Sequence, residues 1–250
     1  MKNPAAVLAI DFENDFVLPT GSLSVKGATK DVFNSCRFIA SKNNIQAVYA
    51  TLDFHPSMHI SHARFWKSET GVQPNPFQVI TYADMVAKVW RPVRDDSWVE
   101  YYLKTVESLG SKHVIWPDHC IAGTTGANLH PEFIATIKDW EIKMHRSAKY
   151  IIKGQSWATE QHSCFSDSLG NRYNETDIHD LNGYSEIYVM GEAYTHCVKQ
   201  HLIDLVKNGV APHKITVLTN CTSPIEGYDM TEFETSMKDM GMQFKESYDA

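Results

Sequence analysis

The sequence predicts an α/β fold: a doubly wound, mostly parallel sheet with helices on both faces. Two observations lead to this prediction. Apolar, β-branched runs recur along the chain, and several are continuously apolar, which is typical of parallel strands covered on both faces. Segments with a helical spacing of apolar residues lie between these runs. Because such sheets bind ligands at the carboxyl ends of their strands, residues that follow a strand are the first candidates for a functional site.

The two types of element alternate along the chain. Strands are predicted for residues 5–10, 47–52, 113–116, 150–153, 186–190 and 214–219. Helices are predicted for residues 32–40, 198–206 and 230–240, where apolar residues share one face. Asp11, Asp53, the turn at 117–120, Lys153 and the turn at 193–197 lie at or just after strand ends. We therefore expect these groups to meet at one edge of the sheet.

The whole chain, residues 1–250, is predicted to be one domain with an insertion at about residues 62–112. This segment is too long for a connection within a minimal α/β unit. It contains several tryptophans and a helical spacing at Val99, Tyr102, Leu103, Val106 and Leu109. Two roles are open for it: a lid or association surface over the sheet edge, and a packed structural elaboration. Exposed aromatic residues there would suit a homo-oligomer.

Composition narrows the class of partners. The chain has 250 residues, 43% of them hydrophobic, and a formal net charge of −7 without a basic tract. This balance argues against nucleic acid and against an anionic membrane surface as partners. The apolar run at 5–10 ends at Asp11 and is too short for a signal segment or a membrane span. Five widely spaced cysteines without a C-x-x-C pair argue against a disulfide framework and predict a cytoplasmic protein.

Cys197 follows the strand predicted at 186–190 and precedes a predicted helix. Backbone N–H groups and the helix dipole at such a joint are expected to lower the pKa of a thiol and to stabilise an anion. A cysteine in this place is a candidate nucleophile with an oxyanion site beside it. Taken alone, Cys197 has an equal alternative as a small buried core residue.

A second group of residues is typical of a metal site. Asp53 and His55 lie on the same side of an extended backbone, and a proline-induced turn returns His59 to the same point. His119 completes a set of one carboxylate and three imidazoles, which suits zinc, iron or manganese. The alternative for the histidines is an ordinary surface position, and His62 is set aside as a neighbour without a role.

Asp11 and Lys153 complete the catalytic candidates beside Cys197. A carboxylate can take the thiol proton as general base and return it to a leaving amine. A lysine beside this pair holds it in place and offsets developing charge. Separately, Asp11 could be a helix cap and Lys153 a solvated strand end; together at one sheet edge they indicate an active site.

Five motifs occur in a fixed order across the chain. They are IDFENDF at 10–16, DFHPSMHIS at 53–61, WPDHCIAGT at 116–124, IKG at 152–154 and GEAYTHCV at 191–198. Together they resemble the nicotinamidase/pyrazinamidase branch of the isochorismatase-like cysteine hydrolases. The resemblance implies Asp11 as acid/base, Lys153 and Cys197 as its catalytic partners, and Asp53, His55, His59 and His119 as ligands of one divalent metal ion. Zinc is the first expectation for that ion, with iron and manganese as alternatives.

The resemblance also implies a reaction, the hydrolysis of nicotinamide to nicotinate and ammonia through a thioester, in NAD salvage. The pyridine nitrogen would bind the metal, and the ring would lie among Phe16, Trp116 and His196. The backbone N–H groups of Ala193 and Cys197 would hold the oxyanion. A cis peptide bond between Glu192 and Ala193 is expected with this arrangement.

Three residues depart from the family pattern: Tyr194, Thr195 and His162. Each is expected near the substrate, so a second reading keeps the catalytic residues and changes the substrate to another small aromatic or heteroaromatic amide. A third reading, from a different class, is a non-catalytic metal-binding or partner-binding module. Intact Asp11, Lys153 and Cys197 argue against the third reading.

Overall fold

The computed structural model describes residues 3–250. Within this range the strands are β1 (Ala5–Ile10), β2 (Ile45–Asp53), β3 (Trp66–Lys67), β4 (Val79–Ile80), β5 (Arg91–Pro92), β6 (His113–Val114), β7 (Lys149–Lys153), β8 (Glu186–Gly191), β9 (Ile215–Leu218) and β10 (Gln243–Lys245). The helices are α1 (Asn14–Val17), α2 (Ala28–Ser41), α3 (Tyr82–Val86), α4 (Asp96–Ser108), α5 (Pro131–Met144), α6 (Glu175–Asn182), α7 (Lys199–Lys207) and α8 (Thr231–Asp239). Of the helices in residues 3–250, none has the length and apolar character needed to cross a membrane.

The central sheet confirms the predicted fold class. In residues 3–250 it has six strands in the order β10-β9-β8-β1-β2-β7, and each neighbouring pair is parallel. Alternate residues of β1 face opposite sides. Ala5, Val7 and Ala9 pack with α2 and α5, and the residues between them pack with α6, α7 and α8. The sheet is therefore covered on both faces, which explains why its inner strands are apolar throughout.

The strand predicted at 113–116 does not belong to this sheet. Only His113–Val114 is extended, and it pairs antiparallel with Val79–Ile80 in a separate two-stranded sheet. The next two residues donate their N–H groups to the backbone of the insertion, Ile115 to Gln78 and Trp116 to Ser61. The turn at 117–120 is thus positioned by the insertion rather than by a strand of the central sheet. The helices α5 and α6 and the edge strand β10 lie outside the predicted elements.

The residues around the predicted insertion have a hydrophobic cluster of their own. Its buried members are Ile60, Phe65, Trp66, Ile80, Val99, Tyr102, Leu103, Val106 and Ile115. Four of the five residues predicted to share a helical face are in this cluster, but Leu109 is 57% exposed because α4 ends at Ser108. Trp66 and Tyr102 are buried, so these two aromatic side chains serve packing.

Substitution of Gly191 tests how closely β8 must approach β1. Its φ is +123°, and an added Cβ would lie 2.0 Å from the carbonyl oxygen of Ile10. Gly209 also has a positive φ, +90°, but nothing lies within 4 Å of an added Cβ. We expect Gly209→Ala to lower the free energy of unfolding by about 1–2 kcal/mol, the strain of the left-handed backbone. Gly191→Ala should lower it by clearly more, because β1 and β8 must separate. Denaturant unfolding measures both, and equal losses would contradict this account.

Candidate functional site

The site lies at the carboxyl ends of four neighbouring strands. Asp11 directly follows β1, Asp53 ends β2, Lys153 ends β7, and Cys197 lies in the turn after β8. Asp53 and Lys153 are paired residues in the register of β2 and β7. Parallel strands end together, so residues distant in the sequence meet here without long connecting loops. The structure brings the three predicted catalytic residues together, all of them buried.

Lys153 is the centre of the charge arrangement. Its Nζ lies 2.9 Å from Oδ2 of Asp11 and 3.0 Å from Oδ1 of Asp53, with both ion pairs buried. The same Nζ lies 3.8 Å from Sγ of Cys197. Burial opposes the positive charge, but the two carboxylates outweigh it and raise the pKa of Lys153 well above its usual value. Lys153 is therefore an ammonium ion that contacts both the acid/base candidate and the metal-site carboxylate.

The thiol of Cys197 differs from the prediction made from its position. Cys197 lies in a π-helical turn, Tyr194–Val198, and α7 begins only at Lys199. Burial, together with the carboxylates of Asp11 and Asp53, raises the pKa of the thiol well above its usual value, although Lys153 acts in the opposite direction. The expectation of a lowered pKa is therefore wrong for this resting site. The thiol is neutral and needs a base to become a nucleophile.

Asp11 is placed to be that base. It has a φ of 51°, and its N–H donates to Oγ1 of Thr51. The Thr51 hydroxyl in turn donates to Oδ1 of Asp11, while Oδ2 faces Lys153. The Lys153 ammonium group, which contacts Oδ2 of Asp11, also contacts Sγ of Cys197, so the carboxylate and the thiol share one neighbour. Both oxygens are thus oriented by fixed partners, which is the arrangement a general base needs.

His201, which the sequence patterns did not single out, supports the turn that carries Cys197. Its Nδ1 lies 2.7 Å from the carbonyl oxygen of Cys197, and its Nε2 accepts the N–H of Cys164 at 3.1 Å. Since a carbonyl only accepts and an N–H only donates, Nδ1 carries the proton. Burial lowers the pKa of His201 to about 4, consistent with this neutral form. His201 thereby ties the nucleophile turn to the chain segment that packs behind it.

Three of the predicted metal ligands converge on one point. Nδ1 of His55 donates to the carbonyl of Gly154, and Nδ1 of His119 donates to the carbonyl of Pro117. When these imidazoles are neutral, each Nε2 presents a lone pair toward Oδ2 of Asp53, at 3.0 and 3.4 Å. Lone pairs that face a carboxylate oxygen repel it unless a cation or proton lies among them. The donor set of one carboxylate and two imidazoles fits a divalent transition metal ion.

Gly154 is required for this arrangement. It has a φ of +73°, and an added Cβ would lie 2.6 Å from Oδ1 of Asp53 and 2.7 Å from Cε1 of His55. Any side chain at this position would push the carboxylate and the imidazole apart. The glycine directly after Lys153 therefore lets the ligands approach the end of β7.

His59 and His62 differ from the sequence prediction in the contacts that their ring nitrogens make. His59, a predicted ligand, uses both ring nitrogens on the backbone: Nδ1 accepts from Ser61 and Nε2 donates to Thr159. His62, set aside in the sequence, has one ring nitrogen in a group with those of His55 and His119, all within 4.8 Å of one another. Among residues 3–250 neither nitrogen of His62 has a hydrogen-bond partner. Both side chains are buried, but His59 contacts the backbone at Ser61 and Thr159, whereas His62 lies beside the rings of His55 and His119.

His119 reaches the site by a route other than the predicted strand end. Cys120, which follows it, donates its N–H to Oδ2 of Asp15 at 2.7 Å. A parallel bridge joins Ile121 to His55, through backbone bonds on both sides of His55. The first motif and the metal motif therefore position His119 together.

A cavity opens beside these groups, and we refer to it as the ring cavity. It is lined by Phe16, Leu23, Val25, Asp53, Trp116, His119, Glu160, His162, Ala193, His196, Cys197 and Ile225. All three predicted substrate contacts and both predicted oxyanion residues are among these residues. Trp116 and His196 meet edge to face, with ring centroids 5.0 Å apart and an interplanar angle of 88°. The peptide bond between Glu192 and Ala193 is cis, as the resemblance implies.

The three departures from the family pattern have different consequences for the ring cavity. Tyr194 does not line it, because its hydroxyl donates to Oε1 of Glu234 on α8. Thr195 accepts the N–H of Ile225 and bonds Nδ1 of His196 at 2.8 Å, so it orients that ring. His162 does line the ring cavity, and it is the one departure of the three whose side chain would contact a ligand there.

Two buried acids escaped the sequence analysis. Glu13 is fully buried, and its Oε1 accepts the N–H of Asp53. Burial, with the carboxylates of Asp11 and Asp53, raises the pKa of Glu13 well above its usual value. Glu160 lines the ring cavity, where burial raises the pKa of its carboxyl, but the neighbouring imidazole of His162 acts in the opposite direction and the pKa is lowered overall. Glu160 does not follow a strand directly, and Glu13, three residues after β1, acts through a contact with the backbone of Asp53 that only folding creates.

The buried charge of Lys153 should matter for stability as well as chemistry. Lys153→Met leaves Asp11 and Asp53 unpaired, and we expect a loss of about 3–5 kcal/mol in the free energy of unfolding. Lys26→Met removes an equally short ion pair with Glu226 on the surface and should leave stability unchanged. The free energy of unfolding of both variants is measured with denaturant after treatment with a chelator. Similar values for both would mean that burial does not strengthen the Lys153 pairs.

Glu13 offers a test of its neutral form. Glu13→Gln keeps an acceptor for the Asp53 N–H and replaces a neutral carboxyl by an amide of the same shape, so stability should be retained. Glu13→Leu leaves that N–H without its acceptor and should lower the free energy of unfolding by about 1–3 kcal/mol. A glutamine variant as unstable as the leucine variant would show that the carboxyl is charged.

Comparison with known proteins places this site in context. No family model matches the chain. The nicotinamidase of Saccharomyces cerevisiae is 29% identical over 225 residues, 88% of this chain and 88% of that protein. A nicotinamidase/pyrazinamidase structure from Acinetobacter baumanii superposes with a TM-score of 0.71 at 24% identity, covering 100% of this chain and 99% of that one. A Pyrococcus horikoshii pyrazinamidase in complex with zinc superposes with a TM-score of 0.58 at 20% identity, covering 97% and 98%.

These matches extend over nearly the whole chain. The sequence match and the shared fold together confirm that the chain resembles the nicotinamidases along most of its length.

Proposed function

We propose that this protein is a metal-dependent amidohydrolase that converts nicotinamide to nicotinate and ammonia and so supplies NAD salvage. The single observation that carries the proposal is the juxtaposition of a buried thiol, a base and a lysine with a carboxylate–imidazole group at one cavity. The nicotinamidases that the chain resembles support this choice of substrate. The cavity is walled by aromatic and imidazole rings, as a flat heteroaromatic amide requires.

The three catalytic residues suffice for the covalent steps. Asp11 takes the proton of Cys197, and the sulfur attacks the carboxamide carbon. Asp11 then returns the proton to the nitrogen, the C–N bond breaks, and ammonia leaves a thioester. Water attacks the thioester carbon while Asp11 takes a proton from it. The C–S bond breaks, Asp11 passes that proton to the sulfur to restore the thiol, and the nicotinic acid formed releases its remaining acidic proton to solvent as nicotinate. Lys153 remains charged and offsets the negative charge on each intermediate.

The remaining predicted residues would bind and orient the substrate. Phe16, Trp116 and His196 would enclose the ring, and the backbone N–H groups of Ala193 and Cys197 would hold the oxyanion. Thr195 supports the neutral form of His196, whose pKa burial lowers to about 3. The neutral ring of His196 can pack against an uncharged aromatic ligand, while Asp53 and Glu160 form the charged part of the lining.

Asp53, His55 and His119 would hold the metal ion in this scheme, since their Nε2 and carboxylate atoms converge. When bound, a divalent ion supplies a Lewis-acidic site for the pyridine nitrogen and so fixes the distance from ring to thiol. Zinc is the first choice, supported by the zinc complex of the Pyrococcus horikoshii pyrazinamidase, with iron and manganese as alternatives. The proposed setting is the cytoplasm, in a single domain with the insertion at about 62–112.

The first experiment measures ammonia release from nicotinamide by the purified, metal-loaded protein. We expect release by the parent protein and by Cys36→Ala, a half-buried cysteine outside the ring cavity. Cys197→Ala should release ammonia at a rate lower by about 10⁴-fold or more, because it lacks the nucleophile. Removal of the metal with a chelator should abolish release, and zinc should restore it.

The outcome with other substrates separates the two enzyme readings. If the folded, metal-loaded protein releases no ammonia from nicotinamide, the proposal is rejected. Cys197-dependent release from another small aromatic amide would then favour the second reading, with His162 as the wall residue to vary first. If no ammonia is released from any of the amides, the result would favour a non-catalytic binding module.

A further inference from the structure

The set of metal ligands is the feature of the site where structure and sequence pattern disagree. We propose that His62 is a protein ligand of the metal ion, in a set with Asp53, His55 and His119, and that His59 is a structural residue. The inference rests on the metal-dependent function proposed above. It concerns which side chains of this chain hold the ion.

The hydrogen bonds of His59 leave it without a lone pair for a metal. Its Nδ1 accepts the N–H of Ser61 at 3.3 Å, and its Nε2 donates to the carbonyl of Thr159 at 3.2 Å. Both nitrogens of a neutral imidazole are thereby used, one as acceptor and one as donor. To bind a metal, His59 would have to give up one of these backbone bonds in a fully buried place.

His62 shows the opposite pattern. It is fully buried, and within residues 3–250 neither ring nitrogen has a hydrogen-bond partner. Buried polar groups are normally satisfied, so an orphaned imidazole inside a cluster of metal-binding side chains itself points to a ligand. Its ring centroid lies 5.2 Å from that of His55 and 5.4 Å from that of His119. One nitrogen of each of these three rings lies within 4.8 Å of the other two.

The surroundings of His62 also decide which nitrogen is available. Oδ1 of Asp118 lies 3.7 Å from Nδ1 of His62, and Arg64 pairs with the other oxygen of Asp118. This separation is too long for a hydrogen bond, but the negative charge of Asp118 on the Nδ1 side favours a proton on Nδ1 and so leaves the Nε2 lone pair for the metal. Asp118 is therefore a positioning residue for His62.

Metal binding measured without substrate tests the proposal. The full-length protein is stripped with a chelator, and zinc affinity is measured by competition with a chromophoric chelator. We expect His62→Gln to weaken zinc binding by about 10-fold or more, the scale on which loss of even an outer partner weakens such sites. The matched variant His59→Gln should leave affinity unchanged, since an amide can both accept from Ser61 and donate to Thr159. The visible absorption of bound Co²⁺, which reports the number and kind of ligands, should change in the first variant only.

Each outcome decides for or against the ligand set. Unchanged zinc affinity and an unchanged cobalt spectrum in His62→Gln would overturn the proposal, as would a changed spectrum in His59→Gln. If His62→Gln does not fold, Asp118→Asn replaces it. Asp118 is partly exposed, and this variant should weaken zinc binding by about 10-fold while leaving the fold intact. Unchanged affinity in the folded Asp118 variant would then count against the set.

The metal measurements and the amidase assay can fail separately. Neither zinc affinity nor the cobalt spectrum involves nicotinamide. A protein that loses its cobalt signal with His62 but releases no ammonia would keep the ligand set and reject the function. If the parent protein hydrolyses nicotinamide but the cobalt spectrum of His62→Gln is unchanged, the proposed function stands and the ligand set is rejected.

Discussion

A single buried ammonium group joins the two halves of this site. Nζ of Lys153 lies 2.9 Å from Asp11 and 3.0 Å from Asp53, and all three side chains are almost completely buried. One ammonium group cannot neutralise two carboxylates, so the site keeps an excess negative charge among buried side chains. Asp53 can carry that charge only if a second cation lies on its other side, where the imidazole nitrogens of His55 and His119 converge. The metal group and the catalytic group are thus parts of one electrostatic balance.

Backbone carbonyl groups contribute more than side chains to fixing this balance of charges. The carbonyls of Gly154 and Pro117 each occupy an Nδ1 atom, which leaves the Nε2 lone pairs of His55 and His119 directed at Asp53. Gly154 directly follows Lys153, so the end of β7 supplies both the ammonium and the carbonyl that sets the tautomer of His55. Since β2 and β7 are in register at Asp53 and Lys153, the parallel sheet holds these groups without adjustable loops.

A site residue could be predicted from the sequence only where the residue pattern itself reveals its position. Asp11, Asp53, Lys153 and Cys197 could be found because strand ends are visible in the pattern of apolar residues and parallel strands end together. The place of His62 beside His55 and His119 could not be predicted, because the sequence does not show which imidazole uses its nitrogens on the backbone. Glu13 and His201 were missed for a related reason: their roles depend on backbone groups brought close only by folding. The segment at 113–116 was assigned to the wrong sheet because a short apolar run does not reveal its partner strand.

The neutral thiol makes sense beside a metal group. A thiolate is a strong ligand for zinc, and a charged Cys197 within reach of the ion would be captured by it or oxidised. Burial and the two carboxylates raise the pKa of the thiol, and Lys153 lies between Sγ and Asp53 as a positively charged spacer. In the proposed mechanism the thiolate forms when Asp11 accepts the proton, and it then attacks the carboxamide carbon. The same carboxylates that make the cysteine a poor nucleophile at rest keep it separate from the metal and available to the substrate.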